Sequence, residues 1–409
     1  MRLGDVCTKI GSGATPKGGK EAYKPSGIPL IRSQNVLDWL FTSNGLAFVD
    51  EGQAAALANV EVEPRDILLN ITGDSVARAC MVPDWCTPAR VNQHVSIVRP
   101  GPDLDPTFLL CFLQSSKPLL LKLASSGATR NALTKGMIGD LEIELPNIET
   151  QRAIASLIGQ IQQKIVLNQQ TNDYLERCCQ SLFDDIQNDR TNEVIQLSDV
   201  AAVNPKRHLT KGSLARCVEM ANLSTSGSFP NDWCRKAYSG GMKFMNGDTI
   251  LARITPCLEN GKTAYINFLD EGEVAFGSTE YIVLASKGLL PAEFFYFLAR
   301  NRAFVSYATN HMNGSSGRQR VSAQDIEAYR LRTPSSSQAA RFADFVRPIM
   351  EEILTRSLEN RRLSSLRGAL LPKLLSGEID VSKVEIPTPP NNHFGDCSLE
   401  SSFQKPKER

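Results

Sequence analysis

Two glycine-bearing stretches come nearest to phosphate chemistry. Gly11-Ser12-Gly13-Ala14-Thr15-Pro16 begins like a dinucleotide loop, but proline stands at its sixth position and no acidic βαβ context follows. Gly261-Lys262-Thr263 ends like a P-loop, yet Pro256 occupies the earlier position that requires glycine. Asn204-Pro205-Lys206-Arg207 starts like the Asn-Pro-Pro-aromatic motif of amino-methyltransferases and lacks the second proline and the base-stacking aromatic. Neither Gly-x-Ser-x-Gly nor His-Glu-x-x-His occurs. His94, His208, His311 and His393 lie far apart, and the ten cysteines form no Cys-x-x-Cys pair, so linear spacing supplies no tetrahedral metal set. Adjacent Cys178-Cys179 reads as helix packing. No catalytic residue, cofactor site or metal site is expected in this chain, which reads as a binder.

Side chains suited to nucleic acid are present in number. In the first half they are Lys17, Lys20, Arg32, Gln34, Asn35, Arg78, Asn92, Gln93, Arg130 and Asn131. In the second half they are Lys206, Arg207, Asn222, Arg235, Lys236, Arg253, Lys262, Arg318, Gln319 and Arg320. Arginine pairs bidentately with guanine, asparagine and glutamine with adenine, and lysine more often holds phosphate. Any one of them reads equally as a solvated charge or a turn amide. Arg130-Asn131 and Arg318-Gln319-Arg320 stand out because they hold the same place in two halves of the chain, beside Ser/Gly-rich segments suited to a DNA-contacting loop. The net charge of +1 argues against a protein that coats nucleic acid nonspecifically, and not against a reader with local basic surfaces.

The elements that must position these residues repeat. At 409 residues two or three domains are expected, and a shift of about 188 residues, far longer than a solenoid period, lays the second half on the first. Leu3-Gly4-Asp5-Val6 falls on Leu197-Ser198-Asp199-Val200, and the strand after Asp66 on the strand after Asp248. Residues 105–113 fall on 290–298 as a buried helix, and each copy closes with a proline-ended strand, at Pro146 and Pro334. Residues 1–146 and 194–334 mix short β-type runs (Ile28 to Arg32, Ile67 to Ile71, Val95 to Val98, Tyr281 to Leu284) with Gly/Pro/Asn punctuation, the signature of α+β domains.

Residues 147–190 and 335–378 switch to helical periodicity. Their apolar seams run through Ile154, Ile158, Ile161, Ile165, Leu175 and Leu182, and through Phe342, Phe345, Ile349, Ile353, Leu366 and Leu370. Asn147 caps the first helix and a Ser335/Gln338 capping box opens the second, which ends near Pro372 or at Gly377. Each helix would be roughly 60 Å long and must pack on something. Two copies on one chain satisfy each other as an antiparallel coiled coil, the alternative being a dimer seam. That pair would hold the two α+β domains at opposite ends, an internal pseudo-twofold repeat. Residues 381–409 read as a disordered tail. No apolar run approaches the roughly 20 residues of a membrane span and the first residues lack a signal peptide, so a soluble cytoplasmic protein is expected.

This arrangement resembles the specificity (S) subunit of type I restriction-modification enzymes. The resemblance rests on the domain openings, on Ser12-Gly13-Ala14-Thr15-Pro16, and on Gly27-Ile28-Pro29-Leu30-Ile31-Arg32. It rests also on the helix start Pro146 to Ile154 and the helix end Leu366 to Ile379, and spans residues 1 to about 380. The second copy departs by lacking a Glu-Gln-Arg helix start and by carrying Asn204-Pro205-Lys206 where the first has Ser-Gly-Ala-Thr-Pro. The resemblance implies two target-recognition domains reading a bipartite asymmetric site in double-stranded DNA. It implies helices that dock two adenine methyltransferase subunits, bringing S-adenosylmethionine, and motor-nuclease subunits bringing ATP and Mg, with no cofactor in this chain. The competing reading is a coiled-coil scaffold with duplicated protein- or ligand-binding domains.

Overall fold

The computed structural model describes residues 1–125, 132–315 and 317–384; the side chain of Lys20 is outside this description. The chain forms two compact units, Met1–Gln162 with Leu366–Arg409, and Gln163–Ser365. This division differs from the sequence reading by cutting through both long helices, because each α+β domain buries its apolar face against the stretch of helix that packs on it.

Among its described residues the first unit holds eight strands: β1 (Cys7–Ser12), β2 (Ile28–Ile31), β3 (Ala47–Val49), β4 (Glu61–Val62), β5 (Ile67–Asn70), β6 (Ala79–Met81), β7 (Ala89–Val91) and β8 (Val95–Pro100). They form an antiparallel sheet in the order β1-β8-β5-β6 and a mixed sheet β3-β2-β7-β4, in which β2 and β7 run parallel. Strand alternation explains why Ile67, Leu68 and Leu69 of β5 are all apolar. Ile67 and Leu69 enter the core shared with the helices, while Leu68 enters the core between the sheets.

The second unit repeats this plan. After β9 (Glu193–Gln196) come β10 (Ala201–Val203), β11 (Leu214–Val218), β12 (Cys234–Ala237), β13 (Lys243–Phe244), β14 (Thr249–Ala252), β15 (Thr263–Tyr265), β16 (Ala275–Gly277) and β17 (Tyr281–Ser286), and β18 (Arg330–Thr333) pairs with β9. Sheet orders β10-β17-β14-β15 and β12-β11-β16-β13 match those of the first unit strand for strand, including the parallel β11–β16 pair. The four β-type runs read from the sequence are strands β2, β5, β8 and β17, with ends moved by one or two residues.

The openings of the two copies differ for a steric reason. A Cβ at Gly13 would come 1.8 Å from the Val91 carbonyl oxygen, so only glycine fits. The corresponding Asn204 takes φ +52°, donates its N–H to the Val283 carbonyl at 2.7 Å, and accepts the Val283 N–H on Oδ1 at 3.0 Å.

The long helices span Ile148–Asn188 and Ser336–Leu375. Asn147 Oδ1 accepts the Thr150 N–H at 2.8 Å. Ser335 and Gln338 form the capping box, with Ser335 N donating to Gln338 Oε1 at 2.8 Å. Buried Gln151 fastens the first helix to its domain by donating to the Asp103 and Pro146 carbonyls and accepting from Asp105 N. The second helix passes through Pro372 and stops before Gly377, whose φ is +70°.

Within the first unit Ile154 and Ile158 pack with Leu371 and Leu374. Within the second, Cys179, Phe183 and Ile186 pack with Phe342, Val346, Met350 and Ile353. Ile165 is buried, and Ile161, Leu175, Leu182, Ile349 and Leu370 are half-buried at the edges of the seam. Phe345 and Leu366 correct the sequence reading: each is 48% exposed, because the seam advances by steps of four from Phe342 to Val346 and Met350 and leaves Phe345 outside it.

The second unit also carries a polar layer where the helices run antiparallel. Fully buried Asn168 donates to Glu359 Oε2 at 2.7 Å and Asn360 Oδ1 at 2.8 Å, and Asn360 donates to the Ile165 carbonyl at 3.1 Å. Asn172 donates to Ser357 Oγ at 3.2 Å. The presumed tail begins with structure instead of disorder: residues Val381–Lys383 form a 3-10 turn with Val381 buried against the first unit's core. Residues 385–409 lie outside the described residues.

Two outcomes follow from this packing. Asn168→Ala leaves Glu359 and Asn360 without a buried donor and is expected to destabilise the second unit by about 1–3 kcal/mol, read as a lower calorimetric transition. Gly13→Ala is expected to cost about 1–3 kcal/mol by overpacking, whereas Gly11→Ala, where a Cβ meets nothing within 4 Å, leaves the melting profile close to wild type.

Candidate nucleic-acid interface

The two copies build one main-chain frame and dress it differently. In the first unit Ile71 donates its N–H to the His94 carbonyl at 3.0 Å, Leu133 donates to the Ile71 carbonyl at 2.8 Å, and Thr72 bridges Ala132. In the second, Arg253 donates to the Glu280 carbonyl at 3.0 Å, Val321 donates to the Arg253 carbonyl at 3.0 Å, and Ile254 bridges Arg320. Each frame runs into a short helix capped by a hydroxyl, Thr134 before Lys135–Gly139 and Ser322 before Ala323–Glu327. The side chains at matching places are Ile71 and Arg253, Thr72 and Ile254, His94 and Glu280. Arg130 and Asn131 precede the Ala132 bridge and lie outside the described residues.

In the first frame the His94 ring is engaged at both nitrogens. Thr72 Oγ1 lies 2.6 Å from Nδ1, Gln93 Nε2 lies 3.2 Å from Nε2, and Thr15 Oγ1 donates to Gln93 Oε1. In the second frame Arg320 forms a bidentate pair with Glu280, with Nη2 to Oε1 at 2.7 Å and Nε to Oε2 at 2.8 Å. The Arg320 guanidinium holds the Glu280 carboxyl below the usual range, and Glu280 raises the affinity of Arg320 for its proton. Arg320 is therefore a pin of the frame. Arg318 and Gln319, immediately before it, are exposed, and their side chains make no hydrogen bond or ion pair among the described residues.

A basic residue also recurs at the end of the loop between paired strands beside each frame. Arg78 supplies the carbonyl that accepts from Asn70 N, and Lys262 the one that accepts from Ala252 N. Arg78 is half-buried, and Lys262 donates to the Met220 carbonyl at 2.7 Å. Arg253 is half-buried in the second frame.

Several sequence candidates serve the fold instead. Asn35 is fully buried and donates to the Thr42 and Asn44 carbonyls, while Arg32 and Gln34 donate to the Gly45 carbonyl, so all three hold the loop after β2. Asn92 is buried, with Oδ1 accepting from His94 N. Arg207 pairs with buried Asp248. For Asn35, Asn92 and Arg207 this corrects the sequence reading: burial and committed hydrogen bonds keep them from base edges. Lys17, Lys206, Arg235 and Lys236 are exposed, the last paired with Glu219, and Asn222 is half-buried. Arg235 and Lys236 lie on β12, the outer strand of the second unit's mixed sheet, and not in the frame around Arg318.

Thr72, His94 and Glu280 were missed by sequence reasoning. Nothing in their local sequence marks them; matching backbone hydrogen bonds between the copies does. Among the described residues no helix is long and apolar enough to cross a membrane.

Comparison with known proteins agrees with this architecture. Residues 1–177 match the family model described as type I restriction modification DNA specificity domain. The chain is 30% identical over 180 residues to the type I restriction enzyme EcoEI specificity subunit of Escherichia coli, covering 42% of this chain and 30% of that protein. With the MjaIX specificity subunit of Methanocaldococcus jannaschii it shares 22% identity across 92% of each chain. The crystal structure of the type I restriction-modification S subunit from M. genitalium has the same fold, with a TM-score of 0.54 and 13% identity over 92% of this chain and 95% of that one. Residues 1–177 are thus similar to the type I restriction modification DNA specificity domain, and the chain resembles type I specificity subunits along nearly its entire length.

Proposed function

We propose that this chain is the non-catalytic DNA-reading subunit of a type I restriction-modification complex, with each α+β domain reading one half of a split asymmetric site. The observation that carries this reading is the shared main-chain frame with different side chains at matching places. A common frame presents both surfaces to DNA in the same way, while Ile71, Thr72 and His94 against Arg253, Ile254 and Glu280 give the two surfaces different hydrogen-bonding patterns. Arg318 and Gln319 are the best base readers in the second domain, and Arg78 and Lys262 the best phosphate holders.

The long helices, in this reading, fix the spacer between half-sites and dock two adenine methyltransferase subunits, which bind S-adenosylmethionine. Motor-nuclease subunits using ATP and Mg complete the assembly. Exposed Leu167, Tyr174, Phe345 and Leu366 on the helices supply apolar contacts for such partners. The work takes place in the cytoplasm, where the host DNA lies.

The test is co-expression with a candidate type I adenine methyltransferase subunit, followed by genome-wide mapping of methylated adenines. Exchanging residues 1–146 for those of a relative is expected to change one half-site and keep the other half and the spacer; a changed spacer overturns the division of labour. Deleting about one turn, Gln160 to Gln163, with its partner segment is expected to shorten the spacer. In the second domain, Arg318→Ala with Gln319→Ala is expected to relax one half-site while stability stays within about 0.5 kcal/mol of wild type. Arg320→Ala, which strands Glu280, is expected to lower stability measurably in a denaturant titration.

A further inference from the structure

Sheet register assembles a donor cluster that linear spacing does not reveal. In the β11–β12 pair Cys217 stands directly opposite Cys234. Successive side chains on a strand alternate faces, so Glu219, two residues beyond Cys217, returns to the same face. Both Sγ atoms and a Glu219 carboxylate oxygen lie within 4.8 Å of one another. Cys217 is buried while Cys234 and Glu219 are exposed, so the cluster opens to solvent on one side.

A cation already occupies this place. Lys236, two residues beyond Cys234 and hence on the same face, reaches back across the cysteines, and its Nζ donates to Glu219 Oε1. Two soft sulfur donors and one carboxylate thus gather in a place where the carboxylate already holds an ammonium.

We propose that Cys217, Cys234 and Glu219 bind a soft divalent cation of the zinc class, with water in the fourth position. Two thiolates and a carboxylate suit zinc, whose bonds to sulfur and oxygen are about 2.3 Å and 2.0–2.2 Å. Ligand atoms around such a centre sit closer together than 4.8 Å, and rotation of the exposed Cys234 and Glu219 side chains closes the difference. On binding, the two thiols lose their protons to solvent, and Lys236, still an ammonium, is displaced from Glu219. The metal would fasten β12, an outer strand paired only with β11, to the rest of its sheet. It would also turn Lys236 outward beside Arg235, where both could meet phosphate. That last consequence rests on the DNA-reading role; the metal site does not.

The experiment is a titration of the full chain, reduced and freed of metal under anaerobic conditions, with Co²⁺ as a spectroscopic probe and Zn²⁺ as competitor. One equivalent of Co²⁺ is expected to give a thiolate-to-cobalt charge-transfer band with tetrahedral visible absorption, both lost on adding Zn²⁺. Cys234→Ser, at an exposed position, should weaken binding by more than roughly tenfold, the lower end of the range seen for lost supporting residues. Lys236→Met, which removes the competing ammonium, should tighten it. Circular dichroism identifies any variant that fails to fold, and Glu219→Gln then provides the second ligand deletion. Absence of the charge-transfer band in the wild-type chain overturns the proposal, as does Co²⁺ binding unchanged by Cys234→Ser. A chain that binds no metal but loses two mass units under mild oxidation, reversibly with reductant, also overturns it, assigning the cysteines to a cross-strand disulfide.

Discussion

The long helices depend on covering an apolar seam that no single helix can bury alone. Within the first unit the seam closes through Ile154, Ile158, Leu371 and Leu374, and within the second through Phe183, Phe342, Val346 and Ile353. Apolar contacts alone leave the register of such a seam loosely set. Asn168, buried with donors aimed at Glu359 and Asn360, supplies the restraint, because sliding the helices would leave a buried amide unpaired.

The same economy governs charge. Asp66 and Asp248 occupy equivalent turns ahead of β5 and β14, and each accepts the N–H three residues before it, from Glu63 and Met245. Each buried carboxylate needs a counter-charge, and the chain supplies it from different places: Arg99 at the end of β8 in one copy, Arg207 after β10 in the other. Burial pushes the Asp248 carboxyl up and Arg207 opposes that shift. Basic residues that look available in the sequence are thus partly spent on neutralising the frame. Fewer are left free at the surface than a count of arginines suggests.

A duplicated frame also separates folding from recognition. The sheets, their order and the capped helices repeat, whereas positions such as His94 and Glu280 differ without disturbing the backbone hydrogen bonds that pass through them. Substitutions at these positions leave the main-chain bonds intact. That is the condition under which the two surfaces can take different chemistry on one fold.

The sequence by itself determined the repeat, the α+β character of each copy, the two long helices with their caps, and the family resemblance. These rest on local signals: period-two and period-3.6 apolar patterns, capping residues, and prolines and glycines at element ends. It also singled out Arg318 and Gln319 by their place in the repeat, and the structure leaves both exposed. The tertiary structure decided what local pattern does not encode. It turned Asn35, Asn92 and Arg207 inward, left Phe345 and Leu366 exposed, and brought Thr72 to His94, Arg320 to Glu280 and Cys217 to Cys234. The reason is physical: whether a polar side chain faces solvent or a neighbour depends on strand register and on which distant backbone groups need a partner, and both are set only when the sheets close.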